Sequence, residues 1–485
     1  MPKLSFVVPV YQPNIKDLNR CIDSLKKQSL RDFEVIFVMD GDDDPVYRLL
    51  YKEAPHLNGA RIVIIPHGGA PKARNAGFEQ TIGEYVVFWD CDSAIEIDAA
   101  KAWCDILDRD TKKEYGFIYS GYKFFDEQGA INSESFDPWL LRVSNYISMC
   151  FPFRRELFTP LDEELESLQD WDFWLTMVEK GAKGKYLAGY GFTTALPSAN
   201  SISGKGCTNE MWLSRLDRVK KKHNIPIREV CVASIHNKQD AIKLAKLIDA
   251  DYRDIPNFKP NHYKKIIQVG FSLHPQFAEK HACLWEKYQE KVVFWTKEDV
   301  EEIYNCFPLA ALEQYVPQVN NAINKQFVED KRARELMEKA EFKVQVLPFP
   351  LSSEEIEPMP ETPAFLLDCS QKYGNVIQVI KEALPDVRID VADGVQDIKD
   401  YIGMISFYPD RLLGLSHKRM ILNGRHMISN INSPYMGFIE DYTSDEKFIV
   451  EVVEKVRGLI GKPPNEKAIS YYKTEVSSNK YAEVL

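Results

Sequence analysis

Two acids one residue apart, Asp90 and Asp92, close the run Tyr85-Val86-Val87-Phe88-Trp89-Asp90-Cys91-Asp92-Ser93. Carboxylates at i and i+2 can share one divalent cation, and Mg²⁺ or Mn²⁺ prefers such oxygen ligands. The same acids would also suit a helix N-cap or a solvated turn, where Asp is common. Other groups with chemistry stand at comparable places. Tyr11 follows the apolar run Leu4 to Val10, Asp40 follows Phe33 to Met39, and Gly68-Gly69 follows Arg61 to Ile65. An aromatic can cover a base, and a carboxylate can accept from a base N–H or a ribose hydroxyl. Paired glycines permit close backbone approach to phosphate. Lys72, Arg74 and Asn75 come next, where cations and donors could meet a diphosphate. Either cation taken singly is equally a solvated helix residue.

The elements that would position these groups follow from the apolar patterning. The four apolar residues after Tyr85 suit a strand buried on both faces, as in a parallel sheet. The runs 4–10, 33–39 and 61–65 read as further strands. Asn14 is placed to N-cap a helix with Asp17 at N3, whose apolar face is Leu18, Ile22 and Leu25. A second helix has Pro71 near its start and Gly83 past its end. Strand and helix alternate, so an α/β fold is expected, its sheet mostly parallel with helices on both faces. Polar groups gathered at one rim of such a sheet are what a nucleotide site requires.

These motifs resemble, in order and approximate spacing, those of the family 2 glycosyltransferases, inverting enzymes of the GT-A fold. The resemblance rests on Val8-Pro9-Val10-Tyr11, Asp40, the stretch Gly69-Ala70-Pro71-Lys72-Ala73-Arg74-Asn75-Ala76-Gly77, and Gly83-Glu84-Tyr85 leading into Asp90-Cys91-Asp92. It implies a nucleoside-diphosphate sugar donor, a UDP-sugar favoured, bound by Pro9, Tyr11, Asp40, Lys72, Arg74, Asn75, Asp90 and Cys91. It also implies Mn²⁺ or Mg²⁺ held by Asp90 and Asp92. The family places an acid pair before a Trp late in the domain. Gln169-Asp170-Trp171-Asp172 matches, with Gln169 in place of the usual Glu and Gly181 as helix stop. Asp170 then corresponds to the general base, with a helix cap as the alternative. Trp171 and Asp172 would face the acceptor, Trp171 as a stacking platform or else as a core residue. Family members often carry a His before the segment matching Ser201-Ile202-Ser203, and Leu196 to Asn200 offers none. Ser198, Asn200 or Lys205 could substitute. A helix from Thr208 to His223 closes the domain, its Lys220-Lys221-Lys222-His223 end expected to be solvated.

After Asn224-Ile225-Pro226 the alternation restarts. Strands are expected near 229–235, 265–270, 291–295, 343–347, 364–367, 387–391 and 402–407, with helices near 239–250 and 376–384. The organisation expected is a domain over 1–225, Rossmann-like lobes over 226–350 and 351–461, and a tail over 462–485. The second half weakly resembles the GT-B fold of family 4 glycosyltransferases. Leu347-Pro348-Phe349-Pro350 matches the interlobe hinge, and Phe407 through Gly424 the donor loop and helix. Leu412 and Lys418-Arg419 stand where that loop should carry two glutamates.

The remaining composition narrows the function. A net charge of −11 over 485 residues argues against general binding to DNA or an anionic membrane. One local basic cluster, Arg411, His417, Lys418, Arg419, Arg425 and His426, could take an anionic acceptor or be a solvated helix face. Nine cysteines without a Cys-x-x-Cys pair suggest reduced thiols in a cytoplasm. No apolar run approaches the roughly 20 residues of a membrane helix, so no transmembrane segment is expected. The function expected is metal-assisted, inverting sugar transfer to a glycan or glycoconjugate hydroxyl. The alternatives are a second active site in the C-terminal half, transfer to a modified nucleic-acid base, and a non-catalytic assembly protein that binds sugar nucleotides.

Overall fold

In the computed structural model, residues 2–125, 130–131, 134–195, 208–234, 237–254, 263–273, 288–329, 331–347, 359–369, 374–391, 400–407, 420, 423–429, 437–438 and 445–475 are described. The chain divides into two units, Met1–Ile227 and Arg228–Leu485.

In the first unit, strands β1 (Leu4–Val10), β2 (Phe33–Asp40), β3 (Arg61–Ile65) and β4 (Tyr85–Phe88) pair in the parallel order β3-β2-β1-β4. Near-continuous apolar sequence is what such strands need, because helices cover both faces. The residues of β4 are all buried, and so is Trp89 beyond them. Pro9 fits inside β1 because of where β4 stops. Val7 accepts from the Trp89 amide at 2.8 Å, so Pro9, two residues on, faces the same side beyond the last residue of β4. Its missing N–H therefore costs no ladder bond. At that point the chain leaves β4 and turns into Asp90-Cys91-Asp92.

Helix α1 (Ile15–Lys26) is capped by Asn14, whose side chain accepts from the Lys16 amide at 2.9 Å. It buries Leu18, Cys21, Ile22 and Leu25, the face that the periodicity indicates. After α2 (Asp44–Glu53) comes α3 (Ala70–Glu79), which starts at Gly69 with φ 89° and has Pro71 in its first turn. A left-handed start of this kind suits glycine and sets the angle at which α3 leaves the site. Beyond β4 the sheet becomes mixed. The chain adds β5 (Ser93–Ile95), α4 (Ala99–Arg109), β6 (Phe117–Phe124), β7 (Ala130–Ile131), α5 (Pro138–Val143) and β8 (Phe153–Arg154). It ends with α6 (Gln169–Glu179), β9 (Gly184–Thr194) and α7 (Asn209–Lys222). The order continues β4-β8-β6-β9-β5, with β8 antiparallel to both neighbours and β6 parallel to β9.

The second unit holds two parallel sheets of Rossmann-like pattern. One has the order β11-β10-β12-β13-β14-β15, from Val230–Ser234 (β10), Asp251–Asp254 (β11), Lys265–Val269 (β12), Glu290–Trp295 (β13), Lys325–Val328 (β14) and Gln345–Val346 (β15). The other has the order β17-β16-β18-β19-β20, from Ala364–Cys369 (β16), Arg388–Val391 (β17), Gly403–Phe407 (β18), His426–Ser429 (β19) and Gly437–Phe438 (β20). Each strand expected in this half has its counterpart. Among the described residues no helix is long and apolar enough to cross a membrane.

Close packing of α3 on the parallel strands depends on Gly77. A Cβ there would stand 2.4 Å from Val7 Cγ1 and 2.8 Å from Val38 Cγ2. Gly77→Ala should destabilise the unit by about 1–3 kcal/mol, the cost of overpacking a tight contact. Urea unfolding checks this, and a variant as stable as the parent would contradict it.

Candidate active site

The strand ends bring three clusters of polar side chains to the same rim of the first sheet. The first cluster is centred on Asp40, buried at the end of β2. Its carboxylate accepts from the Gly68 amide at 2.7 Å and the Gly69 amide at 2.9 Å, and meets His67 Nδ1 at 3.0 Å. The Gly68 and Gly69 amides, expected to approach phosphate, are thus turned onto Asp40 instead. Their donors anchor the loop between β3 and α3. The His67 ring in turn stacks on Tyr11, with centroids 4.2 Å apart and planes 15° apart. Tyr11 is half exposed, so the pair offers an aromatic surface to solvent. The residue after it, Gln12, has φ 41°, a strained conformation for a side chain of this kind.

The second cluster is organised by Arg74. This guanidinium is buried in α3, donates to Asp90 Oδ1 at 2.8 Å, and donates to Gln169 Oε1 at the start of α6. Its Nε has no partner among the described residues. Arg74 therefore ties together α3, the turn after β4 and the N-terminus of α6. Among the described residues Asp92 has no such cation. Burial, and then the charge of Asp90, push its carboxyl up to about 6 from the usual carboxylate range. The Cys91 side chain packs against the core, and burial beside the two acids raises its thiol far above the ordinary range. Lys72 lies across Gly68, where an added Cβ would meet its Cδ at 2.3 Å.

The third cluster surrounds Asp170 in the first turn of α6. Leu168, just before the helix, has φ 63° and supplies no side-chain cap. Leu168 is itself the N-cap residue, so Asp170 lies inside the first turn and is not the cap. Asp170 Oδ1 accepts from the Trp171 amide at 2.9 Å. Burial raises Asp170 despite this bond, the Asn145 side chain and the nearby Arg74, which favour its charged form. Tyr122 of β6 stands beside it, its phenol pushed up to about 12, first by burial and then by the Asp170 charge.

Three expected site residues are turned elsewhere. Asn75 donates to the Leu161 carbonyl at 3.0 Å and accepts from the Leu161 amide at 2.8 Å, which pins the 161 loop. Trp171 is only 2% exposed and donates its indole N–H to the Leu141 carbonyl, so its ring is core surface and not a sugar platform. Asp172 is buried against Lys222 at 2.7 Å and His223 Nε2 at 2.8 Å. The charge run at the end of α7 is correspondingly not all solvated: Lys220 and His223 are buried. Helical spacing explains the division, because Asp170 and Asp172 lie about 200° apart around α6. In the second unit Arg425 and His426 are buried and form no exposed basic face. Ser198, Asn200, Lys205, Pro348 to Pro350 and 408–419 lie outside the described residues. His67, Tyr122 and Asn145 were not singled out by the motifs. Only His67 carried a signal, as the titratable residue before a glycine pair at a strand end.

Stacked rings, paired acids and a buried carboxylate thus meet at one rim of an α/β sheet, the edge at which open α/β sheets bind ligands. Residues 5–160 match the family model described as Glycosyl transferase family 2. The N-terminal unit therefore carries a glycosyltransferase family 2 domain. A chondroitin synthase of Pasteurella multocida (strain Pm70) is 24% identical over 237 residues, 47% of this chain and 23% of that protein. The uncharacterized glycosyltransferase EpsJ of Bacillus subtilis (strain 168) is 35% identical over 97 residues, 20% of this chain and 27% of EpsJ. The chain thus spans about a quarter of the length of these relatives. Among solved structures, S. aureus TarS 1-349 in complex with UDP-GlcNAc aligns with TM-score 0.39 and 20% identity, over 45% of this chain and 66% of that one.

The state of Asp92 sets a pH dependence. A carboxyl raised on folding makes the native state bind the extra proton, so stability is lost as pH rises through about 6 and is regained at acid pH. Asp92→Asn should therefore stabilise the cation-free protein at pH 7–8 by on the order of 2 kcal/mol, with the gain vanishing near pH 4. Thermal melts of both proteins across this range provide the check. A gain that does not change with pH would contradict the assignment.

Proposed function

We propose that the N-terminal unit moves a sugar from a nucleoside-diphosphate sugar, a UDP-sugar favoured, to an acceptor hydroxyl of a glycan or glycoconjugate, with inversion. One observation carries this reading. Arg74 joins Asp90, the first acid of the Asp90/Asp92 pair, to Gln169 in the helix turn that holds the raised carboxylate Asp170. This supports a leaving-group site beside a base site. The family 2 domain over 5–160 supports it.

The acids fit a divalent ion on chemical grounds. Asp90 and Asp92 are hard oxygen donors, and a cation would relieve the cost of keeping Asp92 charged. Among the described residues no cluster of three His, Cys, Asp or Glu forms there. The two acids would hold Mn²⁺ or Mg²⁺, with diphosphate oxygens and water completing the shell. Bound there, such an ion supplies Lewis-acid stabilisation of charge on the departing diphosphate.

The chain's own groups do the rest. Tyr11 and His67 offer a flat face to the base. Asp40 already accepts from two amides and faces His67, and its remaining lone pair can take a base N–H. Lys72, in the first turn of α3, would counter phosphate charge. Asp170 takes the proton from the acceptor hydroxyl as that oxygen attacks the anomeric carbon opposite the departing diphosphate. The raised position of Asp170 brings it closer to the proton affinity that a base working near neutral pH needs. Displacement in one step inverts the anomeric centre and forms no covalent enzyme intermediate.

The test is a screen of UDP- and GDP-sugars with oligosaccharide acceptors, followed by release of nucleoside diphosphate. Asp170→Asn should lower kcat about 10²–10⁴-fold, the usual contribution of a general base, with nucleotide affinity unchanged. Turnover near the parent rate in Asp170→Asn would sink the reading.

A further inference from the structure

Gln169 is 7% exposed and uses both ends of its side-chain amide. Its Nε2 donates to the Glu166 carbonyl at 3.1 Å, and its Oε1 accepts from Arg74 Nη1. The first bond fixes the orientation of the amide, because the nitrogen must face the carbonyl and the oxygen then turns to the guanidinium. A carboxylate could accept from Arg74 but could not donate to Glu166. The turn before α6 is therefore built for an amide and not for the Glu usual in this motif. The other arm of Arg74 ends on the acid pair. Its Nη2 donates to Asp90 Oδ1 at 2.8 Å, an ion pair in which the guanidinium side chain is buried and the carboxylate is 43% exposed. A guanidinium is a rigid planar fork that stays charged at every working pH, so a group held at Nη1 also fixes where Nη2 points. Gln169 thus holds the fork in place and takes up none of its charge.

We propose that Gln169 sets the cation affinity of the acid pair: by holding one arm of Arg74 without neutralising it, the amide keeps the guanidinium committed to Asp90 and weakens binding of a divalent ion. The inference rests on Asp90 and Asp92 being the residues that hold the ion. Gln169 acts through Arg74, as a positioning residue. A divalent ion at Asp90 meets a carboxylate that a buried positive charge already engages, and two cations on one carboxylate repel. A carboxylate at 169 would share the charge of the guanidinium, loosen its hold on Asp90 and leave that oxygen freer for metal. With Gln169 in place, the free protein binds the ion weakly and the diphosphate complex binds it strongly, since diphosphate oxygens add negative charge and further ligands.

The experiment is calorimetric titration of Mn²⁺ alone into the parent, Gln169→Glu, Gln169→Met, Arg74→Gln, the double variant Arg74→Gln/Gln169→Glu, and Asp92→Asn, with thermal melts to confirm folding. Gln169→Glu should bind Mn²⁺ about tenfold more tightly than the parent, the scale of one hydrogen bond to a charged group. Gln169→Met, of similar length and without the acceptor oxygen, should bind no more tightly than the parent. Arg74→Gln releases Asp90 and should also bind more tightly, a second reading should Gln169→Glu fail to fold. In that background the gain from Gln169→Glu should shrink to less than about twofold, because the fork it acts through is gone. Unchanged affinity in Gln169→Glu or Arg74→Gln, equal tightening in Gln169→Met, or a gain that persists without Arg74 would overturn the proposal. Mn²⁺ binding in Asp92→Asn equal to the parent's would instead sink the reading of the acid pair on which it rests.

Discussion

The buried guanidinium of Arg74 is the constraint from which the site's arrangement follows. Taking a guanidinium out of water costs several kcal/mol unless charge and hydrogen bonds compensate it. Here one carboxylate, Asp90, and one neutral amide, Gln169, do so, and they come from segments 79 residues apart in sequence, a separation of 169 − 90. Three carboxylates, Asp90, Asp92 and Asp170, then share the neighbourhood with this buried cation. Burial raises Asp92 and Asp170, and the charge of Asp90 adds to it. Excess negative charge at this rim is what supports the metal–diphosphate reading proposed above. The residue at 169 contributes to this balance, because Gln169 accepts from Arg74 without adding a further charge.

Rigidity around Arg74 comes from ordinary fold physics. Gly77 lets α3 lie close on β1 and β2, and Pro9 sits where β4 no longer needs a donor. The glycine amides at 68 and 69 are bound by Asp40, which fixes the start of α3. The aromatic surface of Tyr11 and His67 stands on that same loop.

Much of this was legible in the sequence, and the failures share a cause. Local signals read well: buried strands from apolar runs, the Asn14 cap, Gly181 as helix stop with φ 90°, and the acids after β4. Side-chain direction did not follow from motif position. Trp171 and Asp172 adjoin Asp170 in sequence, yet the 100° step of a helix turns them into the core and toward α7. The Lys220–His223 run looked solvated because its partners, Asp172 and Glu179, lie 51 and 44 residues away from His223. In the second unit the strand pattern was readable, whereas Arg425 and His426 proved to be interior residues.

The most direct test is calorimetric titration of UDP into the parent protein and Asp92→Asn, with and without Mn²⁺, in buffers of different ionisation enthalpy near pH 6. The account predicts that UDP binds the parent tightly only with Mn²⁺ and that a proton is released on binding. It predicts that Asp92→Asn loses both the metal requirement and the released proton. Equal binding without Mn²⁺, or an unchanged metal response in Asp92→Asn, would contradict it.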